Sequence, residues 1–161
     1  MKPHRLAAAL ACLSAVLGGP AHAVTDIQFW HSMQGALGDR VNDMVAGFNA
    51  SQSDYRVQAV YKGTYGESMN AGIAAFRAGN APDILQVFEV GTATMMYARG
   101  AIKPVQEISE EVGDPINPDD FIGAVAGYYS SPEGTLVSMP FNSSTPVFYY
   151  NKDAFKKAGL D

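Results

Sequence analysis

The sequence predicts an α/β fold with a mainly parallel sheet flanked by helices, and three observations support this prediction. Short apolar stretches with the two-residue alternation of a strand are each followed by a stretch with helical spacing of apolar residues. This strand-then-helix order occurs three times in succession from residue 25 onward. Gly79 and Gly100 stand where the second and third helices should end. Successive strand–helix units pack as parallel strands with right-handed connections, so we expect helices on both faces of the sheet.

The first unit comprises a strand at residues 25–30 and a helix at residues 35–49. The strand places Ile27 and Phe29 on one face. The helix carries one apolar stripe, which is the pattern of an amphipathic helix packed on a sheet. Its members are Leu37, Val41, Met44, Val45 and Phe48.

The second and third units follow the same order. Residues 55–61 alternate as a strand, and residues 67–78 have the spacing of a helix. Residues 84–88 form an apolar run typical of a buried central strand. A helix is then predicted at residues 92–99. A parallel sheet therefore accounts for most of this half of the chain.

The remaining elements are predicted from shorter signals. Residues 104–112 favour a helix, a loop follows through residues 113–118, and residues 136–139 and 147–150 have the composition of strands. Asn151 stands at the N-cap position of a last helix, Lys156 and Lys157 fall in its final turn, and Gly159 ends it.

Polar and aromatic side chains cluster in sequence at the predicted ends of the strands. They occupy residues 30–33, 62–67 and 89–92, and a polar run at residues 141–145 precedes the last predicted strand. Because ligands of open α/β sheets bind beside the carboxyl ends of the strands, we expect a binding site at this edge. Periodicity alone does not name the ligand.

The N-terminus has the pattern of a secretory signal peptide. A basic start is followed by an apolar run from Leu6 to Leu17, and Ala21-His22-Ala23 is a small-x-small cleavage site. We expect cleavage after Ala23, which makes residues 1–23 the signal peptide and residues 24–161 the mature part. Lipid modification of Cys12 is the alternative, but it would leave an apolar run of only about six residues.

Removal of residues 1–23 changes the charge balance and the available ligands. The remaining chain has 9 Lys and Arg against 16 Asp and Glu, a net charge of −7, with no cysteine and only His31 as histidine. We therefore expect no disulfide, no His/Cys metal site and no cofactor. An acidic chain without a basic run also argues against a nucleic-acid partner.

Several blocks resemble the extracellular solute-binding proteins that serve ABC importers, and among them the members that bind sn-glycerol 3-phosphate. The blocks are FWHSM (29–33), YKGTYGE (61–67), residues 71–96, FNSSTPV (141–147) and YYNKDAFKKAGL (149–160). The resemblance implies a periplasmic-binding-protein-like fold of type II. Residues 24–161 would be its first lobe and the start of the crossover to a second lobe, so that the chain is truncated.

The resemblance also implies three ligand-binding residues, namely Tyr65, Glu89 and Ser144. Glu89 would accept hydroxyl protons of the glycerol part, and Tyr65 and Ser144 would serve phosphate oxygens. Apart from Lys62, these loops lack the positive charge that a phosphate needs, so we expect an arginine from the second lobe. Each residue has an alternative role: Glu89 as a solvated helix cap, Ser144 in a turn and Tyr65 in surface packing.

The expected function is that of a monomeric periplasmic receptor, not an enzyme. It would deliver sn-glycerol 3-phosphate, with glycerophosphodiesters as further candidate solutes, to an inner-membrane ABC permease. The alternatives are a sugar or oligosaccharide receptor of the same fold and a secreted glycoside hydrolase with two carboxylates. The sequence contains neither the G-x-S-x-G of a serine hydrolase nor a phosphate-binding glycine loop.

Overall fold

Strands and helices alternate from residue 25 to residue 96. The computed structural model describes residues 23–98 and 100–160, with the backbone alone at Glu89. The elements in chain order are β1 (Thr25–His31), α1 (Ala36–Ser51), β2 (Tyr55–Tyr61), α2 (Tyr65–Arg77), β3 (Ile84–Leu85), α3 (Glu89–Met96), α4 (Val105–Glu111), a 3-10 turn (Pro118–Asp120), α5 (Gly123–Tyr128) and α6 (Lys152–Lys157).

The three strands form a parallel sheet in the order β2-β1-β3. β1 is central, because Trp30 pairs with Val60 on one side and with Leu85 on the other. This topology confirms the predicted parallel sheet of three successive strand–helix units. It also brings the carboxyl ends of all three strands to one edge.

Helices cover the sheet through the connections between its strands. The chain moves from β1 outward to β2 and then back across β1 to β3. Right-handed connections in these opposite directions place α1 and α2 on opposite faces. α1 lies against β2, and α2 lies against β1 and β3. Gly72 of α2 packs directly on Leu85, since a side chain there would meet the leucine methyl groups.

The end of α1 is joined to the middle of β2 by one side chain. The Asn49 amide accepts a hydrogen bond from the backbone N–H of Val57 at 2.8 Å and donates one to the Val57 carbonyl at 2.9 Å. Among the described residues, β2 has β1 as its only sheet neighbour. These two backbone groups therefore face away from β1, and the amide satisfies hydrogen bonds that the sheet leaves open.

A second buried cluster lies around α5 and the segment that follows it. Tyr129, Leu136 and Val137 are buried, and Leu136 pairs with Ser130 in a single antiparallel bridge. The Gln106 side chain of α4 accepts a hydrogen bond from Leu136 N at 3.0 Å. α4 is thus joined to this cluster through a polar side chain.

Two predicted strands are wrong, and one is shorter than expected. Residues 147–150 are not a strand; Phe148 is 81% exposed and Tyr149 is 90% exposed. No strand of the described residues pairs with them, and aromatic composition without a neighbouring strand does not make a strand. Residues 136–139 contribute only the bridge at Leu136. The strand expected at residues 84–88 is confined to Ile84–Leu85.

The predicted helices are confirmed to within a few residues at their ends. In α6, the Asn151 side chain accepts a hydrogen bond from Ala154 N at 3.0 Å, as expected of an N-cap. Of the predicted signal peptide, residues 1–23, all but Ala23 lie outside the described residues. Of the helices described, none combines the length and the apolar character that crossing a membrane requires.

Candidate functional site

The loops at the carboxyl edge of the sheet begin as a continuation of its hydrogen bonding. Lys62 N, just past β2, donates to the His31 carbonyl at 2.9 Å. Gln86 N, just past β3, donates to the Trp30 carbonyl at 2.8 Å. The first residues of both loops are therefore held beside the end of β1, and the three strand exits form one continuous rim.

Gln86 ties two of these loops together through its side chain. Its Oε1 accepts a hydrogen bond from Ser32 N at 3.0 Å, and the residue is 7% exposed. Among the described residues, Gln86 Nε2 and Ser32 Oγ are both buried without a hydrogen-bond partner. The Gln86 amide thus joins the loop after β1 to the loop that leads into α3. Its Nε2 group and the Ser32 hydroxyl could each form a further hydrogen bond.

His31 closes β1 with a neutral imidazole. It is 4% exposed, and its Nδ1 accepts a hydrogen bond from Met33 N at 3.3 Å, so that the ring carries its proton on Nε2. Burial lowers the pKa of His31, which keeps the ring neutral at neutral pH. The rings of Phe29 and Tyr61 lie 5.5 Å and 6.1 Å from it, centroid to centroid.

Lys62 and Trp30 form a cation–π pair at the same rim. The ammonium Nζ lies 3.8 Å from the centroid of the Trp30 ring, and Trp30 is 8% exposed. A cation at this distance is attracted by the ring face. The pair places a positive charge over the central strand, between the exits of β2 and β3.

The turn that carries Tyr65 is fixed by a capping box. The Thr64 hydroxyl accepts a hydrogen bond from Glu67 N, while Glu67 Oε2 accepts bonds from Thr64 N at 2.7 Å and from Thr64 Oγ1 at 2.9 Å. These bonds lower the pKa of Glu67. The carboxylate therefore stabilises the start of α2, and Tyr65 is the first helical residue.

Tyr65 and the start of α3 come together at this rim. The Tyr65 ring lies 5.8 Å from the Phe88 ring, centroid to centroid, and Phe88 is the N-cap residue of α3. The next residue, Glu89, is the first of the helix. The structure thus brings Tyr65 close to the backbone position of Glu89 through one aromatic contact.

Ser144 lies in an exposed segment that has no helix or strand, residues 141–150. The segment is anchored at the exit of β1: the Phe141 ring packs edge-on against Phe29 at 6.1 Å, and Asn142 Nδ2 lies 3.6 Å from the sulfur of Met33. Ser144 follows two residues later. No contact among the described residues joins its side chain to Tyr65, so its role stays a prediction.

Two residues of the rim were not assigned a role from the sequence. Gln86 is the polar residue within the apolar run ILQVF, and a polar side chain inside a buried strand is the signal that could have revealed it. Lys62 was noted for its charge, but its contact with Trp30 follows only from the register of β1 and β2.

The sequence also matches known proteins over nearly all of its length. The sequence profile described as "Bacterial extracellular solute-binding protein" matches residues 32–161. The chain belongs to this family. The parallel sheet flanked by helices is consistent with one lobe of a type II solute-binding protein. The rim at the carboxyl ends of the strands is the edge at which open α/β sheets bind their ligands.

Relatives within the family include proteins named "sn-glycerol-3-phosphate-binding periplasmic protein UgpB". Those of Escherichia coli K12, Shigella flexneri serotype 5b (strain 8401) and Shigella dysenteriae serotype 1 (strain Sd197) are each 56% identical over 162 aligned positions. The alignments cover 100% of this chain and 37% of each relative. The chain therefore spans little more than a third of the length of these solute-binding proteins.

Proposed function

We propose that this chain forms the first lobe of a periplasmic receptor that binds sn-glycerol 3-phosphate and passes it to an ABC importer. The observation that carries the proposal is the 56% identity along the whole chain to relatives named for that solute and compartment. Residues 1–23 would be the signal peptide, cleaved after Ala23, and residues 24–161 would belong to the lobe. Glycerophosphodiesters are further candidate solutes.

The geometry of the rim supports a solute site between lobes. Tyr65 and the start of α3 lie together, and Ser144 follows a segment anchored at the exit of β1. A solute that contacts this rim and an opposing lobe at once stabilises the closed form, because it gains contacts that the open form lacks. Glu89 would accept bonds from the glycerol hydroxyls, and Tyr65 and Ser144 would donate to the phosphate.

We propose a receptor without catalytic turnover. The relatives are named as binding proteins. In the proposed mechanism the solute is recognised, enclosed and released unchanged to the permease, so that no group has to act as nucleophile or general base.

The first test uses a hybrid protein in which this chain replaces the aligned part of the Escherichia coli relative, which then supplies the rest of the protein. We expect calorimetric titration to show binding of sn-glycerol 3-phosphate and none of maltose. Solute recovered from the complex should be chemically unchanged. Binding of maltose alone would replace the proposed solute by a sugar, and hydrolysis of a glycerophosphodiester would contradict a receptor.

The site prediction is tested in the same hybrid by Glu89→Gln, which keeps the shape of the side chain and removes its charge. We expect affinity for sn-glycerol 3-phosphate to fall about tenfold or more, since charge-assisted hydrogen bonds to hydroxyls are the stronger ones. Glu107→Gln in α4 is the control and should bind as the unmodified hybrid does. Unchanged affinity of Glu89→Gln would remove this residue from the site.

A further inference from the structure

Phosphate recognition by this lobe requires a positive charge near the rim, and the chain as a whole works against it. After residue 23 the sequence carries 9 basic and 16 acidic side chains, so a phosphate dianion approaches a surface of its own sign. One acidic group, Glu67, is at the start of α2 itself, where its carboxylate already accepts the bonds from Thr64. The N-terminus of α2 is therefore occupied by a carboxylate and is a poor site for a second anion.

Lys62 is a cation held at this rim by two independent contacts. Its backbone N–H donates to the His31 carbonyl at 2.9 Å, which fixes the residue beside the exit of β1. Its ammonium lies 3.8 Å from the Trp30 ring centroid, which holds the side chain over the central strand. The aromatic face attracts the charge without neutralising it, unlike a carboxylate partner. None of the ion pairs between described side chains involves Lys62.

The position of Lys62 also relates it to the predicted ligand residues. Tyr65 follows it by three residues, and the Tyr65 ring contacts Phe88 at the start of α3. Trp30, on which the ammonium rests, pairs with Leu85 of β3, just before the same loop. The Lys62 ammonium therefore lies over β1. This strand separates the end of β2, which is followed by Tyr65, from the end of β3, which is followed by Glu89.

We infer that Lys62, presented on the ring of Trp30, is a ligand-binding residue that recognises the phosphate group of the solute from the first lobe. This inference rests on the proposed function. The sequence predicted an arginine of the second lobe as the source of positive charge and gave Lys62 no role in binding. Trp30 acts as a positioning residue, because it orients the ammonium and limits the conformations that Lys62 would lose on binding.

The test compares variants of the hybrid protein by calorimetric titration with sn-glycerol 3-phosphate. Lys62→Met keeps the apolar stem on Trp30 and removes the charge, and it should lower affinity about ten- to hundredfold, the loss expected for a charge-assisted hydrogen bond. Lys62→Arg keeps a cation on the ring and should retain most of the affinity. Lys157→Met, on exposed α6, makes the same change in net charge and should bind as the unmodified hybrid does.

A second readout separates charge from packing. Raising the ionic strength from about 0.02 M to about 0.5 M should weaken binding by the unmodified hybrid more steeply than binding by Lys62→Met, since screening acts on the charge that the variant lacks. Thermal unfolding of each variant, with Lys62→Gln as a second uncharged form, shows that the fold is retained.

The outcomes distinguish this inference from the function on which it rests. If the unmodified hybrid does not bind sn-glycerol 3-phosphate, the proposed function fails and the role of Lys62 fails with it. If the unmodified hybrid binds and Lys62→Met matches Lys157→Met, only the role of Lys62 is overturned. Equal losses in Lys62→Arg and Lys62→Met would also overturn it, because shape and not charge would then be recognised.

Discussion

Glu67 is a charged residue at the rim whose side chain has a structural role. It is the fourth residue of the run Thr64-Tyr65-Gly66-Glu67, which has the spacing of a capping box. Its carboxylate accepts hydrogen bonds from the backbone and hydroxyl of Thr64, while Tyr65 stands between them at the first helical position. The charge of Glu67 thus stabilises the turn that presents Tyr65.

The structural role of the Glu67 carboxylate predicts that the stability of the protein depends on pH. The hydrogen bonds from Thr64 lower the pKa of Glu67 below its ordinary value of 4.5, so its contribution to stability is present above that pH and is lost as the pH falls through the lowered pKa. Glu67→Gln should unfold at a lower temperature than the unmodified hybrid at neutral pH, and the difference should shrink below pH 4.5.

The control for this prediction is Glu133→Gln, in an exposed turn. It should not change the pH dependence of the unfolding temperature. A difference between Glu67→Gln and the unmodified hybrid that stays constant down to the acid-unfolding range would contradict a role for the charge. Glutamine can also close a capping box, so a difference that does not depend on pH would reflect the shape of the side chain at residue 67 and not its charge.

The position of α2 on β3 depends on Gly72, which has no side chain. A Cβ at Gly72 would lie 2.6 Å from Cδ2 of Leu85, which is closer than carbon atoms pack. α2 therefore approaches the sheet more closely than a larger residue would allow. Because α2 begins at Tyr65 and β3 leads into α3, this approach also sets the distance between the two sides of the rim.

Substitution of Gly72 tests this close packing. Gly72→Ala should destabilise the hybrid by about 1 kcal/mol or more, since overpacking a tight contact outweighs the gain in helix propensity. The loss should be smaller in a Leu85→Ala background, where the opposing methyl groups are absent. Unfolding in urea measures all four combinations.

Gly47 in α1 is the matched control, because a Cβ there would meet nothing within 4 Å. Gly47→Ala should be neutral or stabilise by up to about 1 kcal/mol, from helix propensity alone. Equal effects at Gly47 and Gly72 would contradict the argument that contact with Leu85 decides the sign.

At this scale the sequence predicted those elements whose signal is local. β2 was placed at its observed bounds, and the N-cap at Asn151 was identified from residue type alone. Residues 147–150 were misassigned, because strand composition is a local property whereas strand formation depends on a partner. The same distinction holds at the site: Tyr65 and Ser144 came from motifs, but the Gln86 bond to Ser32 and the Lys62 contact with Trp30 depend on how separate strands align.

The whole molecule carries an apolar surface that its own described residues do not cover. Residues 147–150 are exposed, and the rings of Phe148 and Tyr150 are stacked at 6.2 Å, centroid to centroid. Contiguous exposed apolar side chains of this kind mark contact surfaces in soluble proteins. The chain covers 37% of the length of its UgpB relatives, so the rest of such a protein is the partner we expect for this surface.

This expectation predicts a difference between the chain alone and the hybrid protein. Residues 24–161 alone should bind a hydrophobic dye such as ANS strongly, and the hybrid should bind much less, because the added part covers residues 147–150. The double substitution Phe148→Ser and Tyr149→Ser should reduce dye binding by the chain alone. Ile122→Ser, at another exposed apolar side chain, is the control and should have a smaller effect. Equal dye binding by the chain and the hybrid would contradict coverage of this surface.

The hydrogen bonds between Asn49 and Val57 have a further consequence for contacts between copies of the chain. An outer strand can recruit a strand from another molecule only where its backbone donors and acceptors are available. Both backbone groups of Val57 are engaged by Asn49, and Gln52 engages the N–H and the carbonyl of Tyr55 in the same way, so an incoming strand could align only with the part of β2 that follows Val57. Two amide side chains thereby limit intermolecular sheet growth along this strand, without adding any charge to the surface.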